Sequence, residues 1–183
     1  MGKVFESIDE KLAAFLLAQP VFFVGTAPSG AEGHVNVSPK GLSGSFAVLG
    51  PREVAYLDLT GSGAETIAHL RDNGRVCLMF CAFSGPPKIV RLHGHGEVVL
   101  PGADGFEELT ARFPERPGAR SVIRIEVDRI ADSCGYAVPL MELEGDRAQL
   151  VRWAAAKGSE GLDDYRRTRN ERSIDGLPAL DGA

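Results

Sequence analysis

Two hydrophobic periods follow one another along the first third of the chain. Apolar residues recur at helical spacing after Ser7 and Glu10, which fit a capping box, so a helix is predicted to run to about Ala18. Segment 21–27, VFFVGTA, has no helical spacing and is rich in β-branched and aromatic residues, a composition that predicts a strand. Further short strands are predicted at residues 34–37, 46–49 and 54–59.

The rest of the chain also mixes strands with helices. A short helix is predicted to begin near Ala64 and to stop at an Asn-Gly pair. Segment 75–83 is nearly all apolar, as is typical of a strand buried on both faces, and segment 88–100 is long enough to curve around a barrel corner. The remaining predicted elements are a helix at residues 106–113, a strand at 121–127 and a final helix with Leu150, Val151 and Trp153 facing inward.

Composition favours one mainly β (α+β) domain over residues 1–183. The chain is 44% hydrophobic, and its 22 glycines and 11 prolines suit many turns between short strands. A net charge of −5 without a basic stripe argues against a nucleic-acid partner. No apolar stretch suggests a membrane span, and three cysteines give no disulfide framework, so we expect a cytoplasmic protein.

A strand that passes through glycines into a helix is the main candidate for ligand chemistry. In YLDLTGSGAETIAHL the helix begins near Ala64, where unpaired backbone N–H groups, together with the hydroxyls of Ser62 and Thr66, are suited to holding a phosphate. Lys40, between a proline and a glycine, is predicted to place a cation on a nearby loop. The alternative is ordinary turn chemistry, since the segment lacks the P-loop and dinucleotide glycine patterns.

The histidines and cysteines give little evidence for a metal site or a catalytic site. Arg91, His93 and His95 share one face of a predicted strand, because side chains alternate with period two. No carboxylate or cysteine stands at ligand spacing beside these histidines, so no metal site is expected. Cys77 and Cys81 are interpreted as small buried residues, and no spacing indicates a hydrolase.

Several segments together resemble one known family. HVNVSPKG, AYLDLTGSGAETIAHLRDNGRVCLMF, VRLHGHGEVV, SCGYAVP and NERSIDGLP, in this order over roughly residues 21–180, are similar to the flavin-binding proteins related to pyridoxamine 5'-phosphate oxidase. The resemblance implies a six-stranded antiparallel split β-barrel with peripheral helices. It also implies a homodimer that holds FMN in a groove between its subunits.

The resemblance further implies which residues approach the flavin. Ser38 and Lys40 would line the loop near it, Thr60 would supply a hydroxyl after the strand, and Ser62 lies in the glycine-rich turn. Where the oxidase has a Ser-Arg-Lys triplet that grips the FMN phosphate, this chain has Ala64, Glu65 and Thr66. Phosphate binding would then depend more on helix N–H groups, Thr66 and Lys40.

Two further regions are implicated by the same resemblance. Arg91 matches an arginine near the flavin edge, where it and Lys88 would stabilise negative charge on the ring. The oxidase's C-terminal Trp and Arg signature is not recognisable, so oxidation of pyridoxamine phosphate is not expected. Residues 163–183 are predicted to form a C-terminal arm that covers the partner's flavin with Ser173 and Asp175; the alternative is a frayed terminus.

The expected function is therefore an FMN-dependent oxidoreductase. A nicotinamide or another small-molecule substrate would stack on the flavin, which does the redox chemistry. Two alternatives remain open at this point. One is a non-catalytic module that binds flavin, or binds haem through His93 or His95, and the other is a deazaflavin-dependent reductase on the same fold.

Overall fold

One antiparallel sheet with helices at its periphery forms the body of the protein. The computed structural model describes residues 2–180. Within them, eight strands have the order β3-β2-β6-β7-β8-β5-β4, and β1 pairs with β8. The elements are β1 (Val4–Phe5), α1 (Glu10–Leu17), β2 (Phe22–Thr26), β3 (Asn36–Lys40), β4 (Phe46–Gly50), β5 (Glu53–Leu59), α2 (Glu65–Asn73), β6 (Arg75–Cys81), β7 (Ile89–Val99), α3 (Phe106–Thr110), β8 (Ala119–Ser133) and α4 (Gln149–Arg169).

The predicted mainly β architecture is confirmed, but the strand count differs. The sheet has eight strands instead of six, and among residues 2–180 no ladder joins its end strands β3 and β4, so it is not closed. It is nevertheless curled, because the rings of Phe22 on β2 and Phe46 on β4 lie 5.3 Å apart. A buried aromatic cluster fills the curl, since Phe80 stacks on Phe22 at 5.3 Å and Tyr56 meets it edge-on at 5.6 Å.

Local contacts correct two predicted boundaries. Asp9, not Ser7, caps α1, because its carboxylate accepts the backbone N–H of Leu12 at 2.8 Å. Strand β3 continues through Ser38 to Lys40, which pairs with Phe22 of β2, so these two residues belong to a strand and not to a loop. Proline is tolerated in β3 because an edge strand leaves one side of its backbone unpaired.

The C-terminal part of the chain also differs from expectation. Leu150 is 37% exposed and does not face inward, and α4 extends through residues that were predicted as part of a polar arm. Gly158 has a φ of 68°, which breaks α4 into two helical pieces. None of the helices in the described part of the chain is long and apolar enough to cross a membrane.

After α4 the chain folds back onto its own sheet. Ala179 and Leu180 are buried in the main core, and Leu177 packs against it. These three residues therefore cover a surface within their own chain, whereas Ile174 of the same segment is 73% exposed. Contact of the arm with a partner subunit stays a prediction, and its last residues, 181–183, lie outside the described residues.

Candidate functional site

The turn between β5 and α2 has an exposed loop and an uncapped helix start. Residues 61–63, here called the GSG loop, precede α2, and both Ser62 and Gly63 are exposed. Ala64 is the N-cap residue and provides no side-chain hydrogen bond to the helix. At the other end, Gly74 has a φ of 73° and donates its N–H to the carbonyl of Leu70, as the predicted helix stop requires. The first turn of α2 thus keeps backbone donors for another partner.

A buried ion-pair cluster lies next to this loop. Asp58, only 1% exposed, accepts from Arg120 Nε at 2.6 Å, from Lys40 Nζ at 3.3 Å and from Ser121 Oγ at 3.2 Å. Burial by itself raises the pKa of Asp58, but the charges of Arg120 and Lys40 outweigh burial and hold that pKa below its usual value. The carboxylate is therefore ionised and paired with two cations.

Arg120 and Asn170 hold the GSG loop from the protein side. Arg120 donates to the carbonyl of Gly63 at 3.0 Å and to Oδ1 of Asn170 at 2.9 Å. Asn170, fully buried, donates to the carbonyl of Gly61 at 3.1 Å. Because both loop carbonyls are bonded to these fixed side chains, the loop backbone has a defined conformation.

Arg166 adds a third cation. Its Nε donates to Thr60 Oγ1 at 2.9 Å, and another guanidinium nitrogen donates to the carbonyl of Ala119 at 3.0 Å. Burial lowers the pKa of Arg166, and the charge of Arg120 acts in the same direction. Asp163, the acidic partner of Arg166 at 3.1 Å, is largely exposed. We call five residues the basic cluster: the cations Lys40, Arg120 and Arg166 and the carboxylates Asp58 and Asp163. The cluster has a net charge of +1, since it contains three cations and two carboxylates.

Polar side chains of β3 meet the start of α2. Asn36 and Ser38 alternate with outward-facing residues on β3, and Ser38 Oγ donates to Asn36 Oδ1 at 3.1 Å. Asn36 Nδ2 donates to Thr66 Oγ1 at 3.1 Å and to Thr26 Oγ1 at 3.3 Å. Ser38 and Thr66 thus both bond to the side chain of Asn36, and a role of either in flavin binding stays a prediction.

The C-terminal segment closes one side of the helix start. Residues 173–177, here called the tail turn, are folded around Ser173 Oγ, which accepts the N–H groups of Asp175 at 3.2 Å and Leu177 at 3.1 Å. The N–H of Ile174 donates to both carboxylate oxygens of Glu65, at 3.1 and 3.2 Å. Glu65 thus fastens the tail turn to the first turn of α2.

Asp175 fastens the tail turn at a second point. It accepts the backbone N–H of His34 at 2.8 Å, and its Oδ1 lies 2.7 Å from His34 Nδ1. The side-chain hydrogen bond and charge of Asp175 raise the pKa of His34, and the pKa of Asp175 is lowered by the same hydrogen bond. Ser173 and Asp175 therefore act within their own chain in this structure.

Lys88 and Arg91 lie apart from the other predicted site residues. Lys88 Nζ lies over the rings of Phe5 and Phe15, at 5.5 and 4.8 Å from their centroids. Arg91 pairs with Met79 on the outer face of the sheet and donates to Ser133 Oγ at 3.1 Å. Lys40, in contrast, pairs with Phe22, whose ring lies inside the curl. Strand alternation thus puts Arg91 and Lys40 on opposite faces.

Comparison with known proteins identifies the family. The family described as pyridoxamine 5'-phosphate oxidase matches residues 8–134, more than half of the chain. The chain belongs to the pyridoxamine 5'-phosphate oxidase family. A fungal relative, the pyridoxamine 5'-phosphate oxidase family protein ustO of Aspergillus flavus, is 42% identical over 195 residues, which cover 98% of this chain and 78% of the relative.

Solved structures of similar fold are more distant in sequence. HupZ of Group A Streptococcus is 20% identical, covers 74% of this chain and 99% of its own, and superposes with a TM-score of 0.54. A protein described as FAD-binding, from Mesorhizobium loti, is 17% identical with a TM-score of 0.49, and covers 72% of this chain and 96% of its own. At 20% identity the likeness to HupZ shows the fold alone.

Several residues of the site were not predicted from the sequence. Asp58 had a detectable signal, because a carboxylate in the apolar strand EVAYLDL implies a buried partner. Arg120, Arg166 and Asn170 had none, since their partners in the sheet and the GSG loop lie 47 to 109 residues away in the chain. Asn36 was read only as a polar strand position, although its amide joins Thr26, Ser38 and Thr66.

Proposed function

We propose that this family member is an FMN-binding oxidoreductase whose GSG loop and α2 start hold the flavin phosphate. One observation carries the proposal: an uncapped helix start lies beside a cluster with a surplus positive charge. Unpaired N–H groups at a helix start and nearby cations both favour a phosphate. Membership of a family related to a flavin oxidase supports the same cofactor.

The groups at this place suit a phosphate, with one exception. Ser62 is exposed on the loop and can donate alongside the backbone. Thr66, in the first turn of α2, is buried and accepts a hydrogen bond from Asn36, so Ser62 is the exposed hydroxyl at this place. Lys40 is paired with Asp58 and contributes its charge from inside the protein. Glu65 opposes a phosphate electrostatically, but its carboxylate is engaged by the N–H of Ile174.

The two groups of candidate residues support a homodimer with the flavin at its interface. Lys40 and Thr66 belong to the inner side of the curled sheet, whereas Arg91 lies on the outer face, so a flavin that contacts all three needs two subunits. Exposed apolar residues accompany the outer face, with Val35 72% and Val37 63% exposed. Their burial against a second copy would be favourable.

When bound, FMN would supply the redox chemistry, and the chain would position it and its substrate. Arg91 on β7, together with Lys88, which immediately precedes that strand, would stabilise negative charge that develops on the ring. The substrate proposed is a nicotinamide or another small planar molecule that stacks on the flavin. A second candidate function is a flavin-binding module without turnover, which would bind FMN in the same way but carry out no redox reaction with a substrate.

Binding of FMN and riboflavin to the purified, flavin-free protein tests the proposal. Quenching of flavin fluorescence should give an FMN affinity at least about tenfold above that of riboflavin. A tenfold difference corresponds to the free energy of about one charge-assisted hydrogen bond. Ser62→Ala should lower FMN affinity and leave riboflavin affinity unchanged. Thr168→Ala is the matched control, because that exposed hydroxyl bonds only to carbonyls of its own helix in the structure. Equal affinities for the two flavins would contradict the proposal.

Reduction of the bound flavin separates the enzyme from the passive module. With FMN bound and oxygen excluded, NADH or NADPH should bleach the flavin absorbance. Oxygen or an added acceptor should then restore it. A protein that binds FMN tightly but is not reduced by either nicotinamide would favour the module, or a different reductant.

A further inference from the structure

We propose that a groove between the two end strands of the curled sheet binds a small molecule with an apolar body and one anionic group. The groove lies where the chain passes from β3 to β4, and its volume is about 420 Å³, within the range of small-molecule sites. The inference goes beyond the proposed flavin site and does not depend on it. We call this feature the β3–β4 groove. Among its lining residues are Leu16, Phe22, Lys40, Leu42, Phe46 and Asp146.

Apolar side chains form the inner walls of the β3–β4 groove. Leu16 of α1 is 1% exposed and Phe22 of β2 is 3% exposed, and Phe46 packs against the same core. Leu17, at the end of α1, continues the wall to the surface, where it is 56% exposed. Covering these walls with the apolar body of a ligand removes them from water, which is favourable.

A lysine gives the groove its preference for an anion. Lys40 Nζ lies 3.3 Å from the buried carboxylate of Asp58, so the ammonium is at the inner end. Within residues 2–180 Asp58 is the one hydrogen-bond acceptor of this ammonium, whose side chain is 22% exposed, so two of its three hydrogens are available. Arg120 also pairs with Asp58, which leaves one positive charge in excess. Asp146 is exposed at the rim, where it accepts the N–H of Ser43.

The loop between β3 and β4 holds a leucine in an unfavourable backbone conformation. Leu42 has a φ of 71° and is the one non-glycine residue with a positive φ within residues 2–180. Ser45 fixes this conformation, because its Oγ donates to the carbonyl of Gly41 at 2.8 Å and its N–H donates to the carbonyl of Leu42 at 3.1 Å. Backbone strain of this kind is concentrated at ligand sites, and Leu42 lines the groove.

Fluorescence titration of the flavin-free protein with anilinonaphthalene sulfonate, an apolar aromatic anion, tests the charge preference. We expect one binding site per chain. Lys40→Met should weaken binding of this anion about tenfold, the effect of one charge-assisted hydrogen bond. Binding of phenylnaphthylamine, the uncharged analogue, should change less than about twofold, since it has no group for the ammonium. An equal loss for both probes, or no loss for the anion, would overturn the assignment of an anionic ligand.

A second substitution tests the wall of the groove without changing its charge. Leu42→Gly should weaken binding of both probes about tenfold, because part of the apolar wall is removed. Relief of the strain should offset the lost burial, so the thermal midpoint of the flavin-free protein should change by less than about 4 °C, and a larger fall would overturn the strain argument.

Leu140→Ala is the matched control, because Leu140 is 80% exposed and does not line the groove. Unchanged probe affinities in Leu42→Gly, or an equal loss in Leu140→Ala, would overturn the site. Probe binding that weakens as the protein concentration rises would show that a second copy of the chain covers the groove, and would also overturn the inference.

Discussion

Replacing Asp58 by asparagine tests the basic cluster beside the GSG loop. Asparagine keeps the volume of the side chain but removes the charge that pairs with Arg120 at 2.6 Å and with Lys40 at 3.3 Å. Removing one partner of a buried ion pair costs about 3–5 kcal/mol, because the other charge is left uncompensated. Lys40 is 22% exposed at its side chain and can turn towards water, whereas Arg120 cannot. We therefore expect a loss near the lower limit, about 3 kcal/mol in the free energy of unfolding.

The same substitution should change how stability depends on pH. In the folded protein the pKa of Asp58 lies below its ordinary value of 3.8, since the charges of Arg120 and Lys40 outweigh the effect of burial. A carboxylate whose pKa is depressed by folding contributes stability above its unfolded pKa of about 3.9 and loses it as the pH falls through the folded pKa. The difference between the two proteins should therefore be constant near neutral pH and shrink below about pH 4.

Urea unfolding of the flavin-free protein, followed by circular dichroism between neutral and acidic pH, measures both effects. Glu53→Gln is the matched control, because Glu53 pairs with Arg124 at the surface and exposed pairs contribute only about 0–1 kcal/mol. If Asp58→Asn lowered the free energy of unfolding no more than Glu53→Gln does at neutral pH, the buried ion pairs of Asp58 would not stabilise the fold as argued. A difference that grew at acidic pH would refute the sign of the pKa shift.

Two further predictions concern local geometry. Gly94→Ala should destabilise the protein by about 3 kcal/mol or more in the urea assay, because its Cβ would lie 1.9 Å from the carbonyl oxygen of Glu126. Gly30→Ala, with nothing within 4 Å, should change stability by less than about 0.5 kcal/mol; equal losses would contradict the packing of β7 on β8. Asp175→Asn should lower the pKa of His34 towards 6.5 in an NMR titration, since Asp175 raises it in the folded protein. The ion pair is complete below pH 6.5 and is lost as the pH rises through the raised pKa, and an unchanged titration of His34 would contradict the contact.

Local signals were sufficient to predict most of the elements. The start of α2 after glycines and its end at Gly74 follow from short-range chemistry, as do the apolar strands β2 and β6. Boundaries failed where a tertiary contact decided them. β3 reaches Lys40 because β2 provides a hydrogen-bonding partner to that point, and no turn residue in the sequence reveals this.

The candidate site was predictable only in part, for a related reason. Ser62 and Thr66 could be found because glycine-rich turns before helices have a recognisable sequence. The basic cluster could not, because Asp58 and Arg120 are 62 residues apart and meet through the pairing of β5 with β8. Lys40 and Arg91 lie on opposite faces of the sheet because of the register of their strands. A shift of one residue in the register of either strand would move its side chain to the other face.

Part of the scaffold for the GSG loop lies outside the region that matches the family. That match ends at residue 134, whereas Arg166 and Asn170, which bond Thr60 and Gly61, come from the end of α4 and the residue after it. The loop sequence alone therefore does not determine its conformation. In a family member with a different C-terminal segment, the same carbonyls would need other donors, from protein or water, because backbone acceptors are rarely left unpaired. If the loop holds a phosphate as proposed, differences in phosphate affinity between such members would arise in the C-terminal segment as well as in the loop.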